Sequence, residues 1–323
     1  MVDALPSRLM SLLRKFDIRY NSNMAVIGLM LVGFVVGMGL GVADGDIGAS
    51  LGDGFNLMVT LLLGWSMARE LDPDRHGSAT AAAVIAGAIW IVMGRSGLLA
   101  TVAAIAAARI LVRSTGRTLT NLDYAFLIGL AFFAGNSVPG WVAGLGLSFS
   151  LARDVRLPGS APAPQRFVAF AVAAAATIGA LWRFPSFDPA WSLFAILVVA
   201  VGIAAGLIAR PSDPRSPMDN RTGPISGERL LSARRTLLVV AIFGALTGSA
   251  GVAGLAPLWA ALLALPLVDL FPARGTRKLD DSPGDPDVDT TPTHDPMPDA
   301  ARSFGDEPVH PNPAERSDQP PAD

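Results

Sequence analysis

Long apolar runs separated by short polar stretches dominate the chain from Met24 to Phe271. A helix that crosses a bilayer needs roughly 20 mostly apolar residues at about 1.5 Å each. The run Met24–Val42 has that length. Nine more approach it: Phe55–Ala68, Ser78–Met93, Leu98–Leu111, Leu122–Gly135, Val138–Ala152, Phe167–Trp182, Ala190–Ala209, Thr236–Ser249 and Leu255–Phe271. Several are shorter than the hydrocarbon core, so tilt, local thinning or a re-entrant course belongs to the reading. The pattern predicts an all-α fold: a polytopic transmembrane helical bundle of about ten spans over residues 24–271. Gly41-Val42-Ala43 has the small-x-small form of a signal-peptide cleavage site, but the 19-residue run Met24–Val42 exceeds a typical signal core of about 7–15, so the first helix is read as retained.

The flanks differ in pattern. In residues 1–23, Leu5, Leu9, Leu12, Leu13 and Phe16 follow helical spacing, with Arg8, Arg14 and Lys15 on the other side. Such a segment either lies in the headgroup layer or leads into the first span from the cytoplasm. Arg210 to Arg235 is rich in Pro, Ser and Arg and reads as a linker. Residues 272–323 are rich in Pro and Asp and lack apolar periodicity, so a disordered cytoplasmic tail is predicted. His294 and His310 fall in that tail.

Composition sharpens the picture. Apolar residues are 51% of the chain and charged residues 16%, against about 25% charged in soluble domains. The chain has no Cys, which removes disulfides and thiol catalysis. A net charge of -2 carries no signature of nucleic-acid binding.

Charge placement adds orientation. If all ten runs cross and both termini are cytoplasmic, 23 of the 25 Lys and Arg residues fall on the inner side and only Arg95 and Arg183 on the outer. Positive residues favour the cytoplasmic side, so the split supports a cell-membrane protein in this orientation. Trp90, Trp141, Trp182, Trp191 and Trp259 fall at outer helix ends and Trp65 near an inner one, the boundaries that Trp prefers. Glycines recur four residues apart at Gly33-Gly37-Gly41, Gly140-Gly144, Gly202-Gly206 and Gly244-Gly248. Small residues at that spacing let helices approach closely, within one chain or between copies.

Two stretches are candidates for chemistry. Glu70, Asp72, Asp74 and His76 alternate through Arg69–Gly77. In an extended loop alternate side chains share a face, and the three carboxylates could then hold a hard divalent cation. The structural alternative has Arg69 ending a helix, Pro73 making the turn, and Asp74 or Ser78 capping the next helix. The second stretch is Gly135–Gly140. If its flanking helices are half-helices, Asn136 and Ser137 contact a solute within the membrane; if they span, the stretch is an outer loop.

No phosphate-cradling Gly loop or zinc-binding His-Glu-x2-His occurs, no Gly-x-Ser-x-Gly serves a nucleophile, and no cofactor is expected. Ion-coupled pumps keep acids or bases near the midplane; the spans hold none there, which favours a small neutral or apolar solute, or facilitated passage. The functional expectation is a small-solute transporter or permease. A non-catalytic scaffold or accessory subunit, with self-association or a membrane-protein partner, is the second reading. A metal-dependent membrane enzyme acting on a lipid-linked substrate through Glu70, Asp72 and Asp74 is the third. Membrane lipids are partners in all three.

Overall fold

The computed structural model describes residues 21–270, apart from 44, 46, 158–163, 184–189, 209–213, 215, 217 and 219–223. The amphipathic start, the tail, part of the linker, Asp44 and Asp46 lie outside the described residues, as do the side chains of His76 and Asp269. The described residues form eleven helices: α1 (Asn21–Ala43), α2 (Ile47–Leu71), α3 (His76–Met93), α4 (Leu98–Val112), α5 (Asn121–Ala134), α6 (Val138–Asp154), α7 (Pro164–Arg183), α8 (Leu193–Ile208), α9 (Gly227–Ala245), α10 (Ser249–Gly254) and α11 (Ala256–Leu270). No strand occurs among the described residues.

Among the described residues, three helices are long and apolar enough to cross a membrane: α1 from Asn23, α2 and α7. Five more apolar helices are shorter. Helix α2 starts well before the predicted Phe55, because its polar positions find partners. Ser50 donates to the Ile47 carbonyl, Asp53 takes Arg95, and Asn56 bonds to Ser96 and Trp90. Helix α9 likewise starts at Gly227 rather than the predicted Thr236, because Arg229 and Arg234 are buried by partners on other helices.

The core is built on small residues. Helix α11 is buried nearly all round, with Leu258, Trp259 and Leu262 inaccessible, and it packs on α3, α2 and α8. A helix that is hydrophobic on every side belongs in an interior. Helix α4 presents Ala103, Ala104, Ala107 and Ala108 at zero exposure, and packs on α6, α9 and α2. The periphery is the reverse. Phe167 and Trp182 on α7 are 79% and 80% exposed, and Leu193 on α8 is 84% exposed. Water penalises so much exposed apolar surface, and hydrocarbon does not.

The connections gather at two ends. At one, the Gly97 amide donates to the Gly254 carbonyl at 3.1 Å, the Ser249 amide to the Ala190 carbonyl at 2.8 Å, and Pro139 abuts Gly254. At the other, residues from 66–75, 109–115, Asp154, Ser216 and 229–234 meet. The arginine-poor connections of the sequence thus share one end, and the arginine-rich ones the other.

The glycine pairs have partners within the chain. A Cβ on Gly37 of α1 would lie 2.7 Å from the Asp53 carbonyl oxygen and 2.8 Å from the Gly54 Cα of α2. Gly144 lies against Ala176, Gly202 against the Trp259 ring, Gly206 against Leu238 and Gly244 against Leu255. Gly248 has φ of 80°, which closes the turn into α10. A Cβ on Gly39 would meet nothing within 4 Å. Gly37→Val is therefore expected to lower the stability of the purified protein by about 1–3 kcal/mol, while Gly39→Val changes it little. Thermal unfolding in detergent checks this, and equal effects of the two changes would contradict the α1–α2 packing.

Candidate functional site

The arginine-rich end is organised around Asp154. Helix α4 ends when Arg113 adopts a left-handed conformation, φ 53°, with its amide donating to the Arg109 carbonyl. A non-glycine residue there costs about 1–2 kcal/mol. The turn delivers the Arg113 guanidinium to Asp154 Oδ2 at 2.8 Å. From α9, Arg229 Nη1 reaches Asp154 Oδ1 at 2.7 Å and also donates to the Leu111 carbonyl. The Asp154 side chain is 1% exposed and that of Arg229 is 5% exposed. One buried carboxylate thus joins the ends of α4, α6 and α9.

Glu70, Asp72 and Asp74 have different partners. Glu70 is buried, and Arg109 donates to its Oε1 at 2.9 Å while reaching toward Ser66. Asp72 is buried between Arg75 and Arg234, each 4.0 Å away, and Arg234 donates to the Leu71 carbonyl. Asp74 is exposed and accepts from the Ser216 amide at 2.8 Å. No group of three His, Asp or Glu side chains suited to a metal occurs among the described residues. The turn at Pro73 follows the structural reading, but the cap does not. Helix α3 has Arg75 at its N-cap with no side-chain cap bond, because Asp74 is engaged by Ser216 and the Ser78 hydroxyl donates back to the Arg75 carbonyl.

Asn136 and Ser137 occupy the short break between α5 and α6. Ser137 caps α6 by accepting from the Gly140 amide. Asn136 has a buried side-chain oxygen with no hydrogen-bond partner among the described residues. The break lies beside α10, through Pro139 and Gly254. At the same end, Asn56 accepts from Trp90 Nε1 at 2.7 Å and from the Ser96 amide, and Thr60 and Ser96 share a hydrogen bond.

The sequence reading missed a groove of about 720 Å³ between α6 and α9. The helices are antiparallel, since Gly146 faces Val240 while Asp154 meets Arg229. Val142, Leu145 and Phe149 form one wall, and Leu231, Val239 and Phe243 the other. Ser232 and Thr236 are buried hydroxyl residues along it. Arg153, Arg235 and Glu228 line its arginine-rich end, and Trp141 the other. The volume lies within the range of small-molecule sites, roughly 300–1,000 Å³. No family model matches the chain, and neither curated proteins nor solved structures yield a match.

Burial pushes the Asp72 carboxyl above its usual range, and the pull of Arg75 and Arg234 does not offset it. The charged form of Asp72 therefore costs the fold. That cost is absent at low pH and sets in as pH rises through the ordinary value near about 3.9 toward the raised folded value. Asp72→Asn is expected to gain stability relative to the parent over that rise and to be at least as stable at pH 7. Asp154→Asn leaves buried Arg229 and partly buried Arg113 uncompensated and is expected to cost about 3–5 kcal/mol. Thermal unfolding in detergent from pH 4 to 8 separates the two. Comparable losses at pH 7 would contradict the assignment.

Proposed function

We propose that this chain is a multi-pass membrane protein of about ten spans that takes a small solute into the α6–α9 groove and moves it as a transporter or permease. The arginine-rich end faces the cytoplasm, and the part of the solute that enters the membrane is neutral or apolar. The observation that carries this reading is the groove itself. Its middle is walled by aliphatic and aromatic side chains, and Phe149, Val239 and Phe243 are exposed along it. In a bilayer that face opens toward lipid. The three long apolar helices, the exposed apolar rim on α7 and α8, and the lysine and arginine split support the membrane setting. The carboxylates at 70, 72 and 74 offer less to an enzyme, since each is turned to a different partner.

The chain has no Cys, so an introduced one is a unique label. Ala190→Cys at the arginine-poor end is expected to react with a membrane-impermeant thiol reagent in intact cells. Thr118→Cys is expected to react only after the membrane is opened. Labelling in the opposite sense would overturn the orientation. In proteoliposomes, filling the groove by Val239→Trp is expected to cut solute passage severalfold. Passage of no solute across a broad neutral and apolar panel would overturn the transport reading.

A further inference from the structure

We propose that the α6–α9 groove is a site for an anionic phospholipid, with its phosphate on Arg153 and Arg235 and an acyl chain along Val142, Leu145, Val239 and Phe243. This rests on the membrane reading above and names the ligand class of the same groove. Two features of the geometry carry it.

The first is the division of labour among the arginines. Arg113, Arg229 and Arg109 are spent on Asp154 and Glu70, and Arg234 on Asp72 and the Leu71 carbonyl. Arg153 and Arg235 are exposed, form no ion pair among the described residues, and line one groove from opposite helices. The antiparallel register sets them within about a turn of each other in depth. Glu228 also lines the groove, and it lies about two turns beyond Arg235 toward the N-terminus of α9. It therefore sits at the outer mouth, past the arginine pair. Two guanidiniums on facing helices, with the Glu228 carboxylate nearer the mouth of the groove, fit a phosphate ester.

The second is length. From Arg235 to Phe243 the groove follows α9 for eight residues, about 12 Å. Half of a hydrocarbon core is about 15 Å. With the arginines at headgroup level, the apolar walls thus accompany an acyl chain through one leaflet. Buried Thr236, one residue deeper than Arg235, lies between phosphate and chain, where the glycerol esters would sit, and buried Ser232 lies at the level of the phosphate. Basic pockets between spans at the cytoplasmic face suit anionic headgroups. The absence of midplane charge restricts only the part of a ligand within the membrane, so an anionic end at the rim is compatible with it.

The test uses the full chain, purified in mild detergent and titrated with phosphatidylglycerol or phosphatidylcholine carrying the same acyl chains, read by native mass spectrometry. One tightly held phosphatidylglycerol is expected, preferred over phosphatidylcholine. Arg153→Ala/Arg235→Ala should weaken it about 30-fold, roughly fivefold for each arginine beside an anionic phosphate. Arg156→Ala/Arg166→Ala removes two exposed arginines outside the groove and should leave binding unchanged. Val239→Trp should weaken both lipids, and millimolar inorganic phosphate should not compete. Equal binding of the two lipids, an equal effect of the two arginine pairs, or displacement by inorganic phosphate would each overturn the proposal. If the phosphatidylglycerol preference is absent while Val239→Trp still slows solute passage, the lipid site fails and the transport reading stands. If the preference is present and no solute passes, the lipid site stands and the transport reading falls.

Discussion

Asp154 lies beneath two arginines at the end of α6, and the arrangement of α4, α6 and α9 depends on that contact. A buried carboxylate without partners would cost several kcal/mol, and so would a buried guanidinium. Together, Asp154, Arg113 and Arg229 satisfy one another while joining segments 41 and 75 residues apart in the chain. Arg113 accepts a left-handed backbone to take part. Arg229 adds a bond to the Leu111 carbonyl, one of the acceptors left open at the end of α4. The cluster therefore caps a helix as well as balancing charge. It also fixes where α9 runs against α6, and so sets one end of the groove between them.

The rest of the architecture follows from a division between ends and middle. Charges and their partners collect at the ends, and the middle is packed through alanine and glycine. Small residues matter there because hydrocarbon gives helices little reason to associate beyond close packing and hydrogen bonds. The Gly37 approach to Asp53 and Gly54 and the seat of Trp259 on Gly202 are instances of it. Large apolar side chains are turned outward on α1, α7 and α8. This inverts the order of a soluble domain and is consistent with a lipid surround.

Much of this was legible in the sequence, and the omissions have physical causes. Apolar runs located the helices, because burial and lipid both demand them. Their ends were misjudged at α2 and α9, since hydropathy treats Asp53, Asn56, Arg229 and Arg234 as interruptions. The fold instead matches each with a partner far along the chain. The carboxylates at 70, 72 and 74 looked like one cluster because they alternate, an argument that holds only for an extended backbone. Glu70 lies within α2, so alternation fails at the first of them. Asp154 drew no attention as a single acid after an apolar run, yet its place beyond one span end, near the arginines beyond two others, was the available signal. The groove had none, because it comes from two helices separated by about ninety residues and from the register between them.

The central claim is that Asp154 and Arg229 act as one unit in placing α9 on α6. A double-mutant cycle with Asp154→Asn and Arg229→Met, read by reversible unfolding in mixed micelles, tests it most directly. The account predicts strong coupling, about 1.5 kcal/mol or more, with the double variant more stable than the two single losses would sum to. Additive losses would show that each residue serves the fold separately, and would contradict the claim.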